Sequence, residues 1–156
     1  MKDFLKLPLS EAYRKLLEPL RFDSVSMKEG DSYKHYHHQI ISNSAAIPPP
    51  AKTLRLSQEL ADLSSSLPCE YTNSIFVRCD KDRIDVIRAL IMGSKDTPYS
   101  NGAFLFDIFC EDTYPNNPPK MVITTTGGGK IRFNPNLYHD GKVCLSLLGT
   151  WKGQTT

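Results

Sequence analysis

An α+β fold is predicted by this sequence, with one N-terminal helix packed on a four-stranded antiparallel meander sheet. Three observations support it: leucines at helical spacing in one segment, four later segments with the composition of strands, and turn sequences between those segments. A helix followed by a run of strands is typical of an α+β domain, in which the helix covers one face of the sheet.

The helix is predicted from leucines at four-three-four spacing, which lie on one face of a helical wheel: Leu56, Leu60, Leu63 and Leu67. Four polar or charged residues lie elsewhere on the wheel: Arg55, Gln58, Glu59 and Asp62. We expect the helix to extend from about residue 53 to residue 65. It ends before Pro68, because proline has no backbone N–H to donate and clashes with the preceding turn.

The four predicted strands are residues 75–79, 86–92, 103–110 and 121–126. The second strand ends at Gly93, and the loop after it finishes in Asn101-Gly102, a strong turn sequence. The third strand is rich in aromatic residues and the fourth in β-branched ones, and both types favour strands. We expect Tyr99 and the aromatic residues of the third strand, Phe104 to Phe109, to pack in the hairpin or the core.

The chain divides into two parts that differ in character. Residues 1–50 are predicted to be an N-terminal extension or linker with a short helix, and residues 51–156 form the domain with the main helix and the sheet. Pro48-Pro49-Pro50 favours a stiff, extended connection, so we place the boundary there.

The N-terminal part contains one predicted helix and one cluster of histidines. Ser10 is expected to cap a helix over residues 11–18, which Pro19 ends. Residues 22–43 are polar and poorly periodic. Their histidines are His35, His37 and His38. The spacing of these histidines matches no zinc signature, so a polar surface loop is a better interpretation than a metal site.

Composition excludes several classes of protein. A net charge of +2 is too small to indicate a nucleic-acid partner, and no stretch approaches the roughly 18 apolar residues of a membrane span. Asp3, Lys6 and Pro8 interrupt any signal peptide. We therefore expect a protein of the cytoplasm, the nucleus or both, whose four cysteines are reduced thiols: Cys69, Cys79, Cys110 and Cys144.

Residues 133–148 show the strongest indication of chemistry. They lack helical and strand periodicity, and their Asn-Pro-Asn and Asp-Gly sequences favour defined turns, so an ordered loop is predicted. Loops on a rigid scaffold often carry functional residues. Cys144 ends this loop, and from the residues alone it is either a nucleophile or a buried packing cysteine. The other three cysteines have no local base or motif and are predicted to be structural.

This loop resembles the active-site signature of ubiquitin-conjugating (E2) enzymes, which reads His-Pro-Asn, a short loop, then Gly-x-Val/Ile-Cys-Leu. The matching residues are Pro135, Asn136, Gly141, Cys144 and Leu145. Residues 114–120 are similar to the family's Tyr-Pro-x-x-Pro-Pro turn, and residues 97–102 to the turn between its second and third strands. Trp151 is similar in placement to the tryptophan that follows the family's cysteine. These matches occur in the family's order along the chain.

Within the family, the chain is similar to the giant E2/E3 hybrid enzymes of the BRUCE or Apollon type. Asn134 stands in place of the usual histidine, as in that group. Residues 142–148, followed by Gly-Thr-Trp, and the predicted helix ending in Ser-Leu-Pro also resemble it.

The resemblance implies a UBC-like fold and an acyl-relay reaction. Cys144, as a thiolate, attacks the thioester between the C-terminal glycine of ubiquitin and the activating enzyme E1. Ubiquitin then passes to a lysine of a protein substrate, and the side-chain amide of Asn136 donates a hydrogen bond to the oxyanion that forms. The resemblance implies no metal and no organic cofactor.

The resemblance also bears on partners and on loop stability. Lys52 and Arg55 resemble the basic residues with which the family contacts E1, although a solvated helix face explains them equally well. Asn134 replaces a histidine that stabilises the active-site loop. Asn116 stands where the family often has a bulky apolar residue that packs against RING-type E3 ligases, which leaves recruitment of a RING E3 open.

Two other functions remain open from the sequence. One is a catalytically inert, ubiquitin-binding E2-like module, although such variants lack the cysteine that Cys144 provides. The other is a thiol hydrolase that pairs Cys144 with His139, for which the sequence indicates no third, orienting residue. The family continues past its cysteine with further helices, so a chain that stops at Thr156 is predicted to lack them and to be marginally stable.

Overall fold

The computed structural model describes residues 6–150, and these contain three α-helices and eight β-strands. The helices are α1 (Leu9–Leu17), α2 (His38–Asn43) and α3 (Pro50–Ser66), and short 3-10 turns cover Glu18–Leu20 and Ser146–Leu148. The strands are β1 (Phe22–Val25), β2 (Lys28–Glu29), β3 (Ser32–Tyr33), β4 (Cys69–Glu70), β5 (Asn73–Asp80), β6 (Val86–Met92), β7 (Ala103–Phe109) and β8 (Lys120–Ile123). Within this range no helix is long and apolar enough to cross a membrane.

The centre of the fold is a sheet with the strand order β1-β5-β6-β7-β8, and β4 pairs with the start of β5. Strands β5 to β8 pair antiparallel in chain order, which confirms the predicted meander. Strand β6 has the predicted ends, and β5 is longer than predicted. Strand β8 ends earlier, because the chain then enters a turn of three consecutive glycines with positive φ: Gly127, Gly128 and Gly129.

Helix α3 packs on this sheet, as predicted, but it begins at Pro50, earlier than expected. Proline fits the first turn of a helix because an N–H at that position has no partner inside the helix. The third proline of the triplet therefore starts the helix instead of extending the connection. The main core joins leucines from the helical segment to residues of the sheet and of the last loop: Leu60, Leu67, Val77, Cys79, Ile87, Ala89, Phe106, Ile123 and Val143.

Helix α1 begins immediately after Pro8, which is its N-cap residue and makes no side-chain cap. The predicted cap by Ser10 is wrong, because Ser10 lies inside the first turn. The backbone oxygen of Pro8 instead accepts a hydrogen bond from the N–H of Ala12 at 2.9 Å. The hydroxyl of Tyr13 donates to Ser74 Oγ at 3.0 Å and connects α1 to β5.

Strand β1 belongs to the central sheet, although the sequence predicted an N-terminal linker there. It pairs in parallel with β5, from Phe22 opposite Val77 to Val25 opposite Asp80. The linker interpretation is therefore wrong for these residues. Four residues are too few to show a strand period, and a parallel partner far along the chain leaves no hairpin turn for the sequence to reveal.

A second, smaller core lies between the N-terminal part and the sheet. It consists of Met27, Tyr33, Ile41, Val86 and Phe109. His35 and His37 are also buried, so the surface-loop prediction is wrong for both. Nε2 of His35 lies 3.1 Å from the backbone oxygen of Ile87, and the backbone N–H of Tyr36 donates to Asp107 at 2.7 Å. Residues 6–150 contain no group of His, Cys, Asp and Glu side chains arranged to hold a metal ion.

We predict that these histidines make the protein less stable as the pH falls from about 6.5 toward about 4. Burial lowers the pKa of both His35 and His37, and the pKa of His37 falls to about 4 with further contributions from His35 and Lys120. The carboxylate of Asp107 opposes both shifts without reversing them. Because the unfolded chain binds these protons at a higher pH than the folded protein, acid favours unfolding.

Urea unfolding at about pH 7 and about pH 5 measures the effect. The substitution His37→Asn should flatten the pH dependence, whereas His139→Asn, at an exposed position, should leave it unchanged. An unfolding free energy that is the same at both pH values would contradict the prediction.

A buried ionic cluster connects α3 to the turn between β5 and β6. Nζ of Lys52 lies 2.6 Å from Asp85 and 3.1 Å from Asp112. Arg83 donates to both carboxylate oxygens of Asp85, at 3.0 and 2.8 Å. Arg83 also donates to Ser44 Oγ at 3.0 Å, so the cluster extends to the residue that follows α2.

Lys52 is therefore inside the protein, with 1% of its surface exposed. The sequence placed it on a helix surface that is solvated or contacts E1, and the structure contradicts both placements. The reason is tertiary, because the start of α3 lies against the turn that carries Asp85. No spacing rule connects Lys52 to a carboxylate so far along the chain.

Candidate active site

The loop that carries Cys144 runs beside the last strand of the sheet. The N–H of Ile123, the last residue of β8, donates to the backbone oxygen of Gly141 at 2.9 Å. Val143 is 2% exposed and belongs to the main core. Cys144 therefore follows directly on a residue that the core holds in place.

Gly141 lies at the closest approach between this loop and β8. Its φ is +90°, a conformation that residues with a side chain rarely adopt. A Cβ at this position would lie 2.7 Å from both the backbone oxygen of Ile123 and Cγ1 of Val122. Any other residue would move the loop away from the strand, which gives a physical reason for the glycine in the signature.

Asn134 organises the Asn-Pro-Asn turn at the start of the loop. Its Oδ1 accepts hydrogen bonds from the backbone N–H groups of Asn136 at 2.7 Å and Leu137 at 2.8 Å. The guanidinium of Arg132 donates to the backbone oxygens of Asn134 and Pro135, at 3.0 and 2.6 Å. Asparagine side chains commonly cap turns in this way. Asn134 thus stabilises the loop, the role that the resemblance gave to the missing histidine.

Asn136 and Cys144 are brought together by one backbone hydrogen bond. The N–H of Cys144 donates to the backbone oxygen of Asn136 at 2.8 Å. Asn136 is exposed, and among residues 6–150 no hydrogen bond is found from its side-chain amide. Its backbone therefore shapes the loop while its side chain remains available to a bound group.

Cys144 itself is 6% exposed. Its Sγ–H donates to the backbone oxygen of Thr150 at 3.5 Å. The chain returns to the thiol through the 3-10 turn Ser146–Leu148 and Gly149, which has the left-handed φ of +63°. Thr150 is a residue that the sequence did not mark as functional, because only the Gly-Thr pair after a leucine-rich run indicates this return.

An apolar pocket of about 230 Å³ lies where the start of the loop meets the sheet. Its lining includes Ile91, Tyr99, Phe104, Phe106, Asn134 and Leu137. The Tyr99 and Phe104 rings meet edge to face with centroids 5.8 Å apart, and the Tyr99 hydroxyl donates to the backbone oxygen of Phe133 at 3.1 Å. This confirms the predicted packing role of both aromatic residues and shows that Tyr99 also supports the loop.

The other three cysteines are buried in the body of the fold, as the structural interpretation predicted. Burial raises the pKa of the Cys69 thiol and raises that of Cys110 to about 12. A thiol with such a pKa stays protonated at neutral pH and is a poor nucleophile. Cys79 has its Sγ 3.1 Å from Ser24 Oγ, between β5 and β1.

The remaining residues for which the sequence predicted a role are exposed, or lie outside the residues that the structure describes. Arg55 has 55% of its side chain exposed, with Nε 2.6 Å from Glu59, so its role toward E1 stays a prediction. Asn116 is exposed. His139 is also exposed, and within the described part of the chain no hydrogen bond joins its ring to Cys144. Trp151 lies outside the described residues.

The fold and the loop together define a class of protein. A helix on a four-stranded meander, with a cysteine loop beside the last strand, is the UBC-like fold that the sequence predicted. A Plasmodium vivax ubiquitin-conjugating enzyme E2 superposes with a TM-score of 0.52 at 24% identity, covering 61% of this chain and 80% of that chain, and supports the fold alone. The E2 domain of a Toxoplasma gondii ubiquitin-conjugating enzyme has a TM-score of 0.50 at 31% identity, covering 67% of this chain and 65% of that one.

Sequence comparison identifies the family. The family model described as "Ubiquitin-conjugating enzyme" matches residues 55–156, and the chain belongs to this family. It is 45% identical over 153 residues to the mouse protein "Dual E2 ubiquitin-conjugating enzyme/E3 ubiquitin-protein ligase BIRC6", a match that covers 94% of this chain and 3% of that protein. It is 54% identical over 103 residues to "Probable ubiquitin-conjugating enzyme protein 17" of Caenorhabditis elegans, covering 66% of this chain and 14% of that protein. The predicted similarity to E2/E3 hybrid enzymes is confirmed.

Proposed function

We propose that this chain accepts ubiquitin as a thioester on Cys144 and transfers it to lysines of protein substrates. The observation that carries the proposal is the 2.8 Å hydrogen bond from the Cys144 N–H to the backbone oxygen of Asn136. It brings together the nucleophile and the oxyanion donor that the E2 signature assigns, although other loop residues separate them in sequence. Membership of the E2 family supports the same reaction.

The first step is an exchange of thioesters. The Cys144 thiolate attacks the carbonyl carbon that joins the C-terminal glycine of ubiquitin to a cysteine of E1, and the E1 cysteine leaves as a thiolate. One C–S bond forms and one breaks, so no oxidant, reductant or cofactor takes part. Once Cys144 is a thiolate, it has no proton to donate to the backbone oxygen of Thr150, so this hydrogen bond belongs to the resting thiol form.

The second step is attack by the neutral amine of a substrate lysine on the same carbonyl carbon. Negative charge develops on the carbonyl oxygen, and in this proposal the exposed side-chain amide of Asn136 donates a hydrogen bond to it. Collapse of this intermediate forms the amide bond and releases Cys144 as a thiolate. The proton lost by the amine passes to the solvent or to the released thiolate.

The proposed partners follow from these steps: ubiquitin, E1 and protein substrates. Arg55, exposed on α3, is our candidate for contact with E1. The chain corresponds to 3% of the length of the mammalian relatives, whose names give them both E2 and E3 roles. We extend the proposal to that combination, which predicts transfer to a substrate without a separate E3 when the chain acts within such a protein.

A thioester-loading assay with E1, ATP and ubiquitin tests the proposal, with the products separated on reducing and non-reducing gels. We predict a ubiquitin adduct that reductant removes and that Cys144→Ala abolishes. Cys144→Ser should instead give an oxyester that resists reductant, because it contains no C–S bond to exchange. Cys69→Ala is the matched control, since Cys69 is equally buried but lies in β4, and it should load like the wild type.

Absence of an adduct from protein that is folded by circular dichroism would contradict the proposal and favour an inert E2-like module. Cleavage of a ubiquitin fusion or a peptide without E1, lost in Cys144→Ala, would favour a thiol hydrolase. An adduct that persists in Cys144→Ala would show that another nucleophile accepts ubiquitin.

A further inference from the structure

Thr150 contacts the active-site cysteine and both of its neighbours in sequence. Its hydroxyl oxygen lies 2.7 Å from the backbone oxygen of Val143 and 3.0 Å from the backbone nitrogen of Leu145. Its own backbone oxygen lies 3.5 Å from Sγ of Cys144 and accepts the thiol proton. One residue therefore contacts the peptide group before Cys144, the peptide group after it, and the thiol in its resting form.

The direction of each hydrogen bond follows from the distances. A threonine hydroxyl has one proton to donate and two lone pairs to accept with. The backbone oxygens of Val143 and Leu145 lie 2.7 and 3.3 Å from this hydroxyl, so the proton is directed at Val143. The lone pairs accept the N–H of Leu145. The hydroxyl thus bridges the two peptide groups that flank Cys144.

The chain after Cys144 is shaped so that Thr150 can return to it. Gly149 has a φ of +63° and reverses the chain after the 3-10 turn Ser146–Leu148. The backbone N–H of Thr150 then donates to the oxygen of Leu145 at 3.3 Å. This closes residues 145–150 into a short loop, with the threonine hydroxyl on its inner side toward Val143.

From the geometry we propose that Thr150 is a positioning residue for the nucleophile. Its hydroxyl bridges the two peptide groups that flank Cys144, while the backbone oxygen of Asn136 accepts the N–H of Cys144, and together these bonds fix the backbone that carries the sulfur. The role in catalysis rests on the function proposed above. Thr150 does not touch the reacting carbonyl in this scheme, and it acts through the position of Cys144.

The contact with Val143 is the more important of the two hydroxyl contacts. The Leu145 amide is in an exposed contact, so water can replace the threonine hydroxyl there. The Val143 oxygen belongs to a residue that is 2% exposed and sits in the main core, where an unsatisfied carbonyl is costly. Loss of the hydroxyl should therefore loosen the loop at Val143, misalign Cys144 and expose its sulfur.

Thr150→Val and Thr150→Ser form a matched pair for kinetics. Valine keeps the branched shape and removes the hydroxyl, whereas serine keeps the hydroxyl. With E1–ubiquitin thioester as the varied substrate, Thr150→Val should lower kcat for loading about tenfold and leave KM unchanged, because alignment is lost but docking is not. Thr150→Ser should load at close to the wild-type rate.

Alkylation by iodoacetamide, mapped to each cysteine by mass spectrometry, tests the positioning role of Thr150 without ubiquitin. In Thr150→Val, Cys144 should react faster than in the wild type, because its sulfur is less shielded. The other three cysteines, which are also buried, should stay protected and serve as internal controls for the fold: Cys69, Cys79 and Cys110. Slower loading together with faster alkylation at Cys144 alone distinguishes misalignment from loss of structure.

Four results would overturn the inference: unchanged alkylation of Cys144 in Thr150→Val, wild-type kcat in Thr150→Val, an equal loss of kcat in Thr150→Ser, or faster alkylation of all four cysteines in Thr150→Val. The last result would assign Thr150 to the stability of the whole fold. If wild-type protein accepts no ubiquitin, the proposed function fails. The rate of Cys144 alkylation still tests whether Thr150 positions Cys144. Unchanged alkylation in Thr150→Val would then refute it.

Discussion

Replacing Asn136 by alanine is expected to slow the transfer of ubiquitin from Cys144 to an amine by about 10²–10³-fold, while thioester loading persists. Transfer to an amine builds negative charge on the carbonyl oxygen, and Asn136 is the donor proposed for that charge. The substitution keeps the loop, because Asn136 contributes to it through its backbone. Its N–H donates to Asn134 at 2.7 Å, and its backbone oxygen accepts from Cys144 at 2.8 Å.

Single-turnover discharge of preloaded enzyme to free lysine measures this step apart from loading. Asn136→Asp is a second test, since aspartate has nearly the same shape but has no amide N–H to donate. Asn134→Ala is the contrasting control, because the Asn134 side chain holds the turn itself, and both loading and discharge should fall. Discharge at the wild-type rate from Asn136→Ala would leave Asn136 as a turn residue without a catalytic role.

The largest expected effect on stability is that of Asp85→Ala, which should lower the free energy of unfolding by about 3–5 kcal/mol. Asp85 is fully buried and is the shared partner of Lys52 and Arg83. Burial alone would raise its pKa, but the hydrogen bonds from Arg83 and Lys52 outweigh burial and hold the pKa below its ordinary value. Without Asp85, two buried cations remain with one partly exposed carboxylate, that of Asp112.

Urea unfolding of three variants tests this ranking. Lys52→Met should cost less than Asp85→Ala, because Asp85 then keeps its two hydrogen bonds with Arg83. Glu111→Ala removes a partly exposed pair, 3.5 Å from Lys120, and should cost less than about 1 kcal/mol. A free energy of unfolding for Asp85→Ala that is no lower than that for Glu111→Ala would contradict the prediction.

The cluster around Asp85 also explains why Lys52 is buried, although its sequence pattern predicts a helix surface. On a helical wheel Lys52 and Arg55 are both basic residues of α3, and the pattern gives no reason to treat them differently. In the structure one is buried with carboxylates and the other is exposed beside Glu59. The difference comes from the turn between β5 and β6, which lies far from α3 in sequence.

Contacts between residues far apart in sequence also explain why the N-terminal part differs from its prediction as a linker with a surface loop. His35 and His37 looked like a polar loop because burial of a histidine depends on what packs against it, here the strands that carry Ile87 and Asp107. Strand β1 was missed because its partner, β5, is parallel and distant. The predicted linker is, at residues 22–25, an edge of the central sheet.

The sequence by itself determined the helix, the four-stranded meander and the loop that carries Asn136, Gly141 and Cys144. These features depend on hydrophobic periodicity and turn chemistry, which act between residues close together along the chain. Only the tertiary structure decided the burial of Lys52, the parallel strand β1, and the contacts of Thr150 around the thiol. Ion pairs, parallel pairing and side-chain contacts across a folded loop depend on which surfaces meet, and that is settled when the whole chain packs.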